Sequence, residues 1–373
     1  MIDRVLSWFW TRVARSVAVP DRSLTAFRWI LGLYLLLFDA PYYSWISDTP
    51  RAFFDPPVLS VTYLFSGFPP ATFFLLLDVV AITATCCMTV GYRTRISTAT
   101  TLITRLVGMN FIYSYGKISH QIAVCVFLFC MIIADWGETR EQDPEHEGAT
   151  SRRWSPETSY RTIQGMSLFA VALAFGFVTA GFDKARLWIN TDLAKSGILT
   201  WYYPGYFTGS TRFLADRIPG LPLVVLKAGD WLAAIVEVTG FIALLLNRTS
   251  WRVWLLVVTL LHTANVLVLN ITFATQVILY LSFFDLSSLV DSPLMRRLRR
   301  PAVGLVVVIG AWHVITRFTD NGSSYFMVSG QARVYTYDLY VALVICTIVA
   351  GIIAKNLIES SRPLLPTRSR STS

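Results

Sequence analysis

The sequence predicts an all-α fold: a polytopic transmembrane helix bundle of about ten helices (8 to 10), with both termini cytoplasmic. Hydrophobic residues make up 54% of the 373-residue chain and charged residues only 15%, and the mean hydropathy is +0.53. Soluble domains usually contain about 25% charged residues, so this composition indicates a membrane protein. Long apolar stretches recur along the chain, and arginines concentrate in alternate connections between them.

Each apolar stretch is a candidate helix, because crossing the hydrocarbon core takes about 20 mainly apolar residues. The first stretch follows an arginine-bearing segment and no A-x-A-like cleavage site comes after it, so we interpret it as a retained helix and not as a signal peptide. The predicted helical segments are 24–40, 71–90, 96–113, 120–134, 162–180, 221–245, 251–268, 273–290, 302–316 and 337–353.

The distribution of basic residues predicts the orientation. Segments 1–23, 91–95, 134–161, 246–252, 291–301 and 354–373 together hold 20 of the 32 Lys and Arg residues. Cytoplasmic loops are enriched in these residues, so both termini are predicted to be cytoplasmic and the connection that carries Lys184 to lie outside. The net charge of +9 follows from this topology and from attraction to anionic lipid. We therefore expect a multi-pass protein of the cell membrane, with the lipid bilayer as a partner and no nucleic acid.

The cysteines predict no metal site. All five lie within the apolar stretches, where a small hydrophobic side chain is expected, and none has zinc-ligand spacing. We interpret them as packing residues.

Polar side chains at membrane depth are the functional candidates, because they are costly to bury. In the predicted topology they gather in the outer half of the bundle, from four segments that are distant in sequence. Such a convergence is typical of an active site or a ligand cavity. The candidate catalytic residues are Lys184 and His262, and the candidate binding residues are Lys117, His120, Trp188, Asp230, Glu237 and Asn265.

Structural interpretations compete with these assignments. Lys184 and Arg186 can also be interpreted as cations at a helix end that extend to the membrane interface. His262 is compatible with a hydrogen-bonded core imidazole. Asp230 and Glu237 would equally stabilise the bundle by pairing with Lys227 or Arg105. For three isolated polar residues within helices we favour structural pairing over function: Asp78, Arg105 and His313.

Four segments carry a family resemblance: RWILGLYLLL, VGYRTRIST, AGFDKARLWINTDLAKSGIL and LLHTANVLVLNITFATQVILYLSFF. Their order over roughly residues 20–290 is similar to that of the HTTM family, the transmembrane region shared with vitamin K-dependent gamma-carboxylases. It also resembles bacterial maturation factors of the sporulation-delaying-protein B type. The resemblance divides the chain into an HTTM/carboxylase-like transmembrane domain (1–290), two additional C-terminal transmembrane helices (291–359) and a disordered tail (360–373).

The resemblance implies a chemistry for two residues. In gamma-carboxylases a lysine deprotonates a reduced naphthoquinone on the luminal side, and that lysine is matched here by Lys184. A family histidine before an aromatic-rich helix is matched by His262, followed by Phe273. The segment LWINTDLAKSGIL departs from the family pattern, and no large extracytoplasmic β-rich domain is expected. We therefore expect a related quinone- or peptide-directed reaction, or a non-catalytic descendant, and not glutamate carboxylation.

Three functions remain open at this point. One is a membrane enzyme with Lys184 as base and a reduced quinone as cofactor or substrate. Another is an accessory protein for maturation or export of a secreted peptide, with the aromatic loop 181–220 as its contact surface. The third is a small-molecule transporter, although no inverted repeat is visible in the sequence.

Overall fold

The fold is given by a computed structural model that describes residues 2–115, 121–134, 136, 158–190, 192, 195–207, 212–319, 322–328 and 331–361. Within these residues the regular structure is entirely helical, which confirms the predicted all-α class. The α-helices are α1 (Ile2–Val17), α2 (Asp21–Phe38), α3 (Ala71–Val90), α4 (Thr94–Tyr113), α5 (Ile122–Ala134), α6 (Tyr160–Trp188), α7 (Gly197–Phe207), α8 (Leu223–Val238), α9 (Gly240–Leu246), α10 (Arg248–Ala264), α11 (Ala274–Leu279), α12 (Ser287–Asp291), α13 (Pro293–Arg317) and α14 (Gln331–Ser361).

Several of these helices have the length and apolarity of membrane spans. In the part of the chain that the structure describes, five qualify: Ala71–Val90, Tyr160–Trp188, Arg248–Leu269, Arg297–Arg317 and Tyr335–Glu359. A sixth results if α8 and α9, which meet at a 45° bend, are counted as one span. Helices occupy all ten predicted positions, but the predicted count of ten spans is not confirmed.

The remaining helices fall short for identifiable reasons. Helix α5 has only 13 residues, about 20 Å at 1.5 Å per residue, against a hydrocarbon core of about 30 Å. The predicted segment 273–290 is interrupted, because α11 tightens into a 3-10 turn that ends at Phe283. Helix α4 is long enough, but Arg95, Arg105 and its many threonines lower its hydropathy. Sequence windows do not show where a helix tightens or stops.

Helix α6 is central to the packing. It lies against α5 on one side and against α8 and α9 on the other, while α10 packs on α14 and α3 packs on α4 and α13. Aromatic rings fill the space between these helices: Phe169 of α6 packs against Phe127 and stacks on Phe283, which in turn contacts Trp251 edge-on. This core fixes α6 relative to α5 and α10, and α6 also packs directly on α8. Helices α6, α8 and α10 carry most of the candidate residues that the structure describes.

The two ends of the bundle differ in composition. At one end, the start of α2 contacts the start of α6, because Asp21 accepts a hydrogen bond from the Ser159 amide. The start of α2 also contacts α12 through the exposed Arg22–Asp291 ion pair. Arg28 donates to the Met88 carbonyl at this same end. We call this the arginine-rich end. The C-terminal ends of α2, α4 and α6 lie at the opposite end.

Buried ion pairs join helices at the opposite end. Asp78 of α3 lies 3.6 Å from Arg317 of α13, and neither side chain is exposed. Arg105 of α4 lies 3.1 Å from Asp39, directly after α2. His313 is within hydrogen-bonding distance of the Leu36 carbonyl, at 2.7 Å. The structural pairing predicted for Asp78, Arg105 and His313 is therefore confirmed.

Candidate functional site

Lys184 lies within α6 and not in a loop after it. The sequence predicted that the fifth span ends near residue 180, but α6 continues to Trp188. Lys184, Ala185, Arg186 and Leu187 are good helix formers, so nothing in this stretch stops the helix. Lys184 therefore projects from the last turns of a long, rigid helix, at the end opposite the arginine-rich end.

The partner of Lys184 is Glu237 of α8. The Lys184 ammonium donates a short hydrogen bond to Oε1 of Glu237. This contact requires close approach of the two helices, and Gly181 permits it: a Cβ on Gly181 would lie only 2.7 Å from Cβ of Glu237. Lys184 is three residues after Gly181 and shares its helix face. Small residues commonly allow such contacts between membrane helices.

The pair is unequally buried. The Glu237 side chain is 6% exposed and that of Lys184 is 28% exposed. Oε2 of Glu237 is buried and has no hydrogen-bond partner among the residues that the structure describes. The Lys184 ammonium also lies 5.6 Å from the centre of the Trp188 ring, within range of a cation–π contact. The pair thus combines a partly exposed proton donor with a buried acceptor oxygen that has no partner in the described part of the chain.

Asp230 and Lys227 hold the connection between α6 and α7. Each carboxylate oxygen of Asp230 accepts one backbone N–H, from Gly197 and Ile198, both at 2.9 Å. Lys227 donates to the Trp188 carbonyl at 2.9 Å and to the Lys195 carbonyl at 2.6 Å, and lies 3.7 Å from Asp230. The predicted pairing of Asp230 with Lys227 is therefore present, whereas Glu237 pairs with Lys184.

The N-terminus of α7 explains why a carboxylate is suited to this position. The first N–H groups of a helix lack intrahelical acceptors and attract negative charge. Gly197 lies beneath the Trp188 ring, since a Cβ there would be 2.1 Å from the ring. Asp230 therefore fixes the α7 N-terminus against the first half of α8, and Trp188 lies there next to Lys184.

His262 belongs to a second polar pair. Its Nε2 lies 3.0 Å from the Tyr280 hydroxyl, and its ring stacks on Phe273 at 4.3 Å. Phe177 of α6 contacts both His262 and Trp254, and Trp254 donates to the carbonyl of Val236, next to Glu237. Contacting side chains therefore connect the two pairs.

The backbone is irregular beside both pairs. Asn265 begins a π-helical turn, Asn265–Leu269, directly after α10, and its carbonyl accepts N–H groups from Asn270 and Ile271. The Asn265 side chain is half-buried. Beside the Lys184–Glu237 pair, α8 ends one residue after Glu237 and the chain bends by 45° into α9. π-Helical turns are frequent at functional sites.

The structure thus brings together Lys184, Trp188 and Glu237, and Trp188 in turn contacts Lys227, which lies next to Asp230. His262 lies on the adjacent α10, and Asn265 lies in the π-helical turn that follows it. Lys117 and His120 lie outside the described residues. The predicted role of each residue in catalysis or binding stays a prediction. A groove of about 350 Å³ lies beside the bend, lined by Val236, Thr239, Thr249, Ser250, Val253, Trp254 and Val257. Its lining includes neither member of the Lys184–Glu237 pair.

Sequence reasoning missed several polar residues at this end. Asp338 of α14 accepts hydrogen bonds from Tyr325 and Thr272, and so ties α14 to the segment between the π-helical turn and α11. Tyr34 bonds Thr275 at 2.7 Å, near the Asp39–Arg105 pair. A carboxylate inside or directly after an apolar run was the available signal for Asp338 and Asp39. Tyr280 gave no such signal, because a tyrosine is common in apolar helices.

No family model, curated protein or solved structure matches this chain.

The two hydrogen bonds from the α7 N-terminus to Asp230 can be tested by substitution. In Asp230→Asn, the amide NH2 replaces one acceptor oxygen and faces a backbone N–H, so the α7 N-terminus loses a hydrogen bond. We expect hydrogen exchange of the α7 backbone amides to accelerate by about 10-fold or more, since a lost charged hydrogen bond is worth about 1.5–3 kcal/mol. Hydrogen-exchange mass spectrometry on the purified protein measures this. The control is Asp216→Asn, an exposed acid in the segment between α7 and α8; equal exchange in both variants would show that Asp230 does not hold the α7 N-terminus.

Proposed function

We propose that this chain is an integral membrane protein in which the Lys184–Glu237 pair performs acid–base chemistry on a lipid-soluble ligand with an acidic hydroxyl group, and that a reduced quinone is the ligand class. The observation that supports this most strongly is the asymmetry of the pair. A half-buried ammonium next to an indole ring adjoins a buried carboxylate with one oxygen that no described residue hydrogen-bonds. An interfacial anchor needs only a cation that reaches headgroups, whereas Lys184 bonds inward to Glu237.

The pair provides a route to a neutral amine. Transfer of one proton from Nζ of Lys184 to Glu237 converts two charges into two neutral groups, which cost less to hold in an apolar environment. The amine then accepts the proton of the ligand hydroxyl and becomes an ammonium again. The resulting ligand anion lies beside that ammonium and is stabilised by it. Each step moves only a proton, so no oxidant is required.

The surroundings suit a ligand that arrives through the bilayer. Phe182 and Leu187, which flank Lys184 on α6, are 66% and 60% exposed. The Trp188 ring lies 5.6 Å from the Lys184 ammonium. Tryptophan favours the membrane–water interface, where the polar head of an amphiphile lies while its tail remains among the lipids.

The resemblance to the HTTM family gives the same role to Lys184, and we propose membership of that family on this basis. His262 then lies on the adjacent helix with Tyr280, connected to the lysine pair through Phe177 and Trp254. The site supports proton transfer at the ligand head, and His262 is suited to orienting a second hydroxyl or carbonyl group of the ligand.

A peptide accessory function is the second candidate, and α7 supports it. Its aromatic side chains are exposed although the helix is held firmly by Asp230: Trp201, Tyr203, Tyr206 and Phe207 are 45%, 45%, 53% and 79% exposed. Rigid exposed aromatic side chains are typical anchors for a peptide partner.

We further propose that the arginine-rich end is cytoplasmic and the lysine site extracytoplasmic, as the positive-inside rule predicts. Cysteine labelling with a membrane-impermeant maleimide in intact cells tests this. We expect Tyr206→Cys to be labelled from outside and Glu145→Cys to be labelled only after the membrane is opened. Labelling of both from outside would contradict the proposed orientation.

Lys184→Arg tests the proposed chemistry, because arginine retains the cation but does not give up its proton at physiological pH. We expect the variant to insert and accumulate normally. A positioned base contributes about 10²–10⁴-fold, so the rate at which a bound reduced naphthoquinone ionises should fall by about 10²-fold or more. Rapid-mixing absorbance spectroscopy of the protein in lipid nanodiscs under nitrogen distinguishes the hydroxyl form from its anion.

The matched control is Arg186→Lys, which exchanges an exposed cation two residues away and should ionise the quinol as the wild type does. Wild-type ionisation in Lys184→Arg would exclude Lys184 as the base. Absence of quinol binding in every protein would exclude the ligand class. Mass spectrometry of molecules that co-purify with the wild type then separates a quinone from a peptide ligand.

A further inference from the structure

Helix α1 carries an apolar face that is only half covered by the bundle. Ile2, Leu6, Phe9, Val13 and Val17 follow one another at intervals of three or four residues and therefore share one side of the helix. Val13 and Val17 are buried. Ile2 and Leu6, on the same face, are 73% and 51% exposed.

The C-terminal half of α1 docks at the end of the bundle. The Ser16 hydroxyl donates to the Leu244 carbonyl at 2.7 Å, and Arg12 lies 3.4 Å from the Leu246 carbonyl. Leu246 is the last residue of α9, immediately before the turn into α10. Helix α1 also packs on α6 and α10 and leads directly into α2. It therefore lies at the arginine-rich end, where these helices begin or end.

The N-terminal half continues beyond these contacts. From Val13 to Ile2 the face extends by about 16 Å at 1.5 Å per residue. Trp8 and Trp10 are also exposed, at 52% and 40%, and both are side chains that favour the membrane interface. The remaining surface of the helix carries Arg4, Arg12 and Arg15, all exposed.

We infer that the N-terminal half of α1 lies in the surface of the bilayer, with Ile2 and Leu6 among the upper acyl chains and its arginines against anionic headgroups. A helix that is apolar on one side and basic on the other, with Trp10 between the two sides, has the properties of an interfacial membrane helix. The position of α1 at the boundary of the spanning helices places this face at the depth where acyl chains begin. A second copy of the chain packed on the apolar face would give no role to the three arginines, because they lie on the rest of the helix surface.

This inference is independent of the quinol proposal, and it makes α1 a sensor of anionic lipid on one leaflet. Each basic side chain near an anionic surface adds to the attraction, so three arginines are expected to favour anionic over zwitterionic lipid.

Depth measurements on the full chain in vesicles test this. A fluorophore attached at Leu6→Cys is compared with one at Ser7→Cys, in a background in which the five native cysteines are replaced. Residue 7 lies on the polar side of the same helical turn. In vesicles with anionic phosphatidylglycerol we expect lipids spin-labelled near the top of the acyl chain to quench the residue 6 probe at least twofold more than the residue 7 probe. We expect the difference to shrink in purely zwitterionic vesicles and in high salt.

Three results would contradict the inference. Equal quenching of the two probes would show that the helix does not lie with its apolar face in the bilayer. Shielding of the residue 6 probe without lipid quenching, together with cross-linking between Leu6→Cys chains, would show that a second copy covers the face. Substitution of Arg4, Arg12 and Arg15 by Gln should remove the dependence on anionic lipid while leaving the protein inserted; retention of that dependence would also contradict the role of the arginines.

Discussion

A charge buried among apolar helices must be paired, and in this structure such pairs join the helices to one another. Removing one partner of such a pair leaves an uncompensated charge and costs about 3–5 kcal/mol. Asp78 with Arg317 joins α3 to α13, Asp39 with Arg105 joins the end of α2 to α4, and Lys184 with Glu237 joins α6 to α8. Each pair connects segments that are far apart in sequence. Apolar packing against lipid has no comparable specificity, because lipid chains are as apolar as leucine.

The three pairs do not have the same surroundings. The Asp78–Arg317 pair is fully buried, and Asp78 also accepts the backbone N–H groups of Tyr43 and Ser44. Only the Lys184–Glu237 pair combines a partly exposed cation with a buried oxygen that lacks a partner among the described residues. It is also flanked by a helix break after Glu237 and lies under the indole of Trp188. These differences favour a structural role for the first pair and a chemical role for the Lys184–Glu237 pair.

Much of this arrangement could be predicted from the sequence, and the rest could not for physical reasons. Hydropathy predicted the helices, and the cost of burying charge singled out Lys184, Asp230, Glu237 and His262. The sequence did not predict that Glu237 pairs with Lys184, since Lys227 and Arg105 were equally reasonable partners for Glu237. The choice depends on Gly181, which lets α6 approach Glu237 closely enough. Nor did it predict that Asp230 caps α7, because the sequence 181–220 reads as an aromatic loop and gives no indication of a helix N-terminus. Span lengths were overestimated where α11 tightens into a 3-10 turn.

The coupling between Lys184 and Glu237 is measured directly by a double-mutant cycle. The variants are Lys184→Met, Glu237→Leu and their combination, and the readout is thermal unfolding of the purified protein in detergent. Lys184→Met leaves a buried carboxylate without its cation, so we predict that it destabilises the protein more than the double variant does. The predicted coupling is on the order of 1–3 kcal/mol. Additive effects of the two substitutions, with the double variant the least stable of the three, would contradict the account.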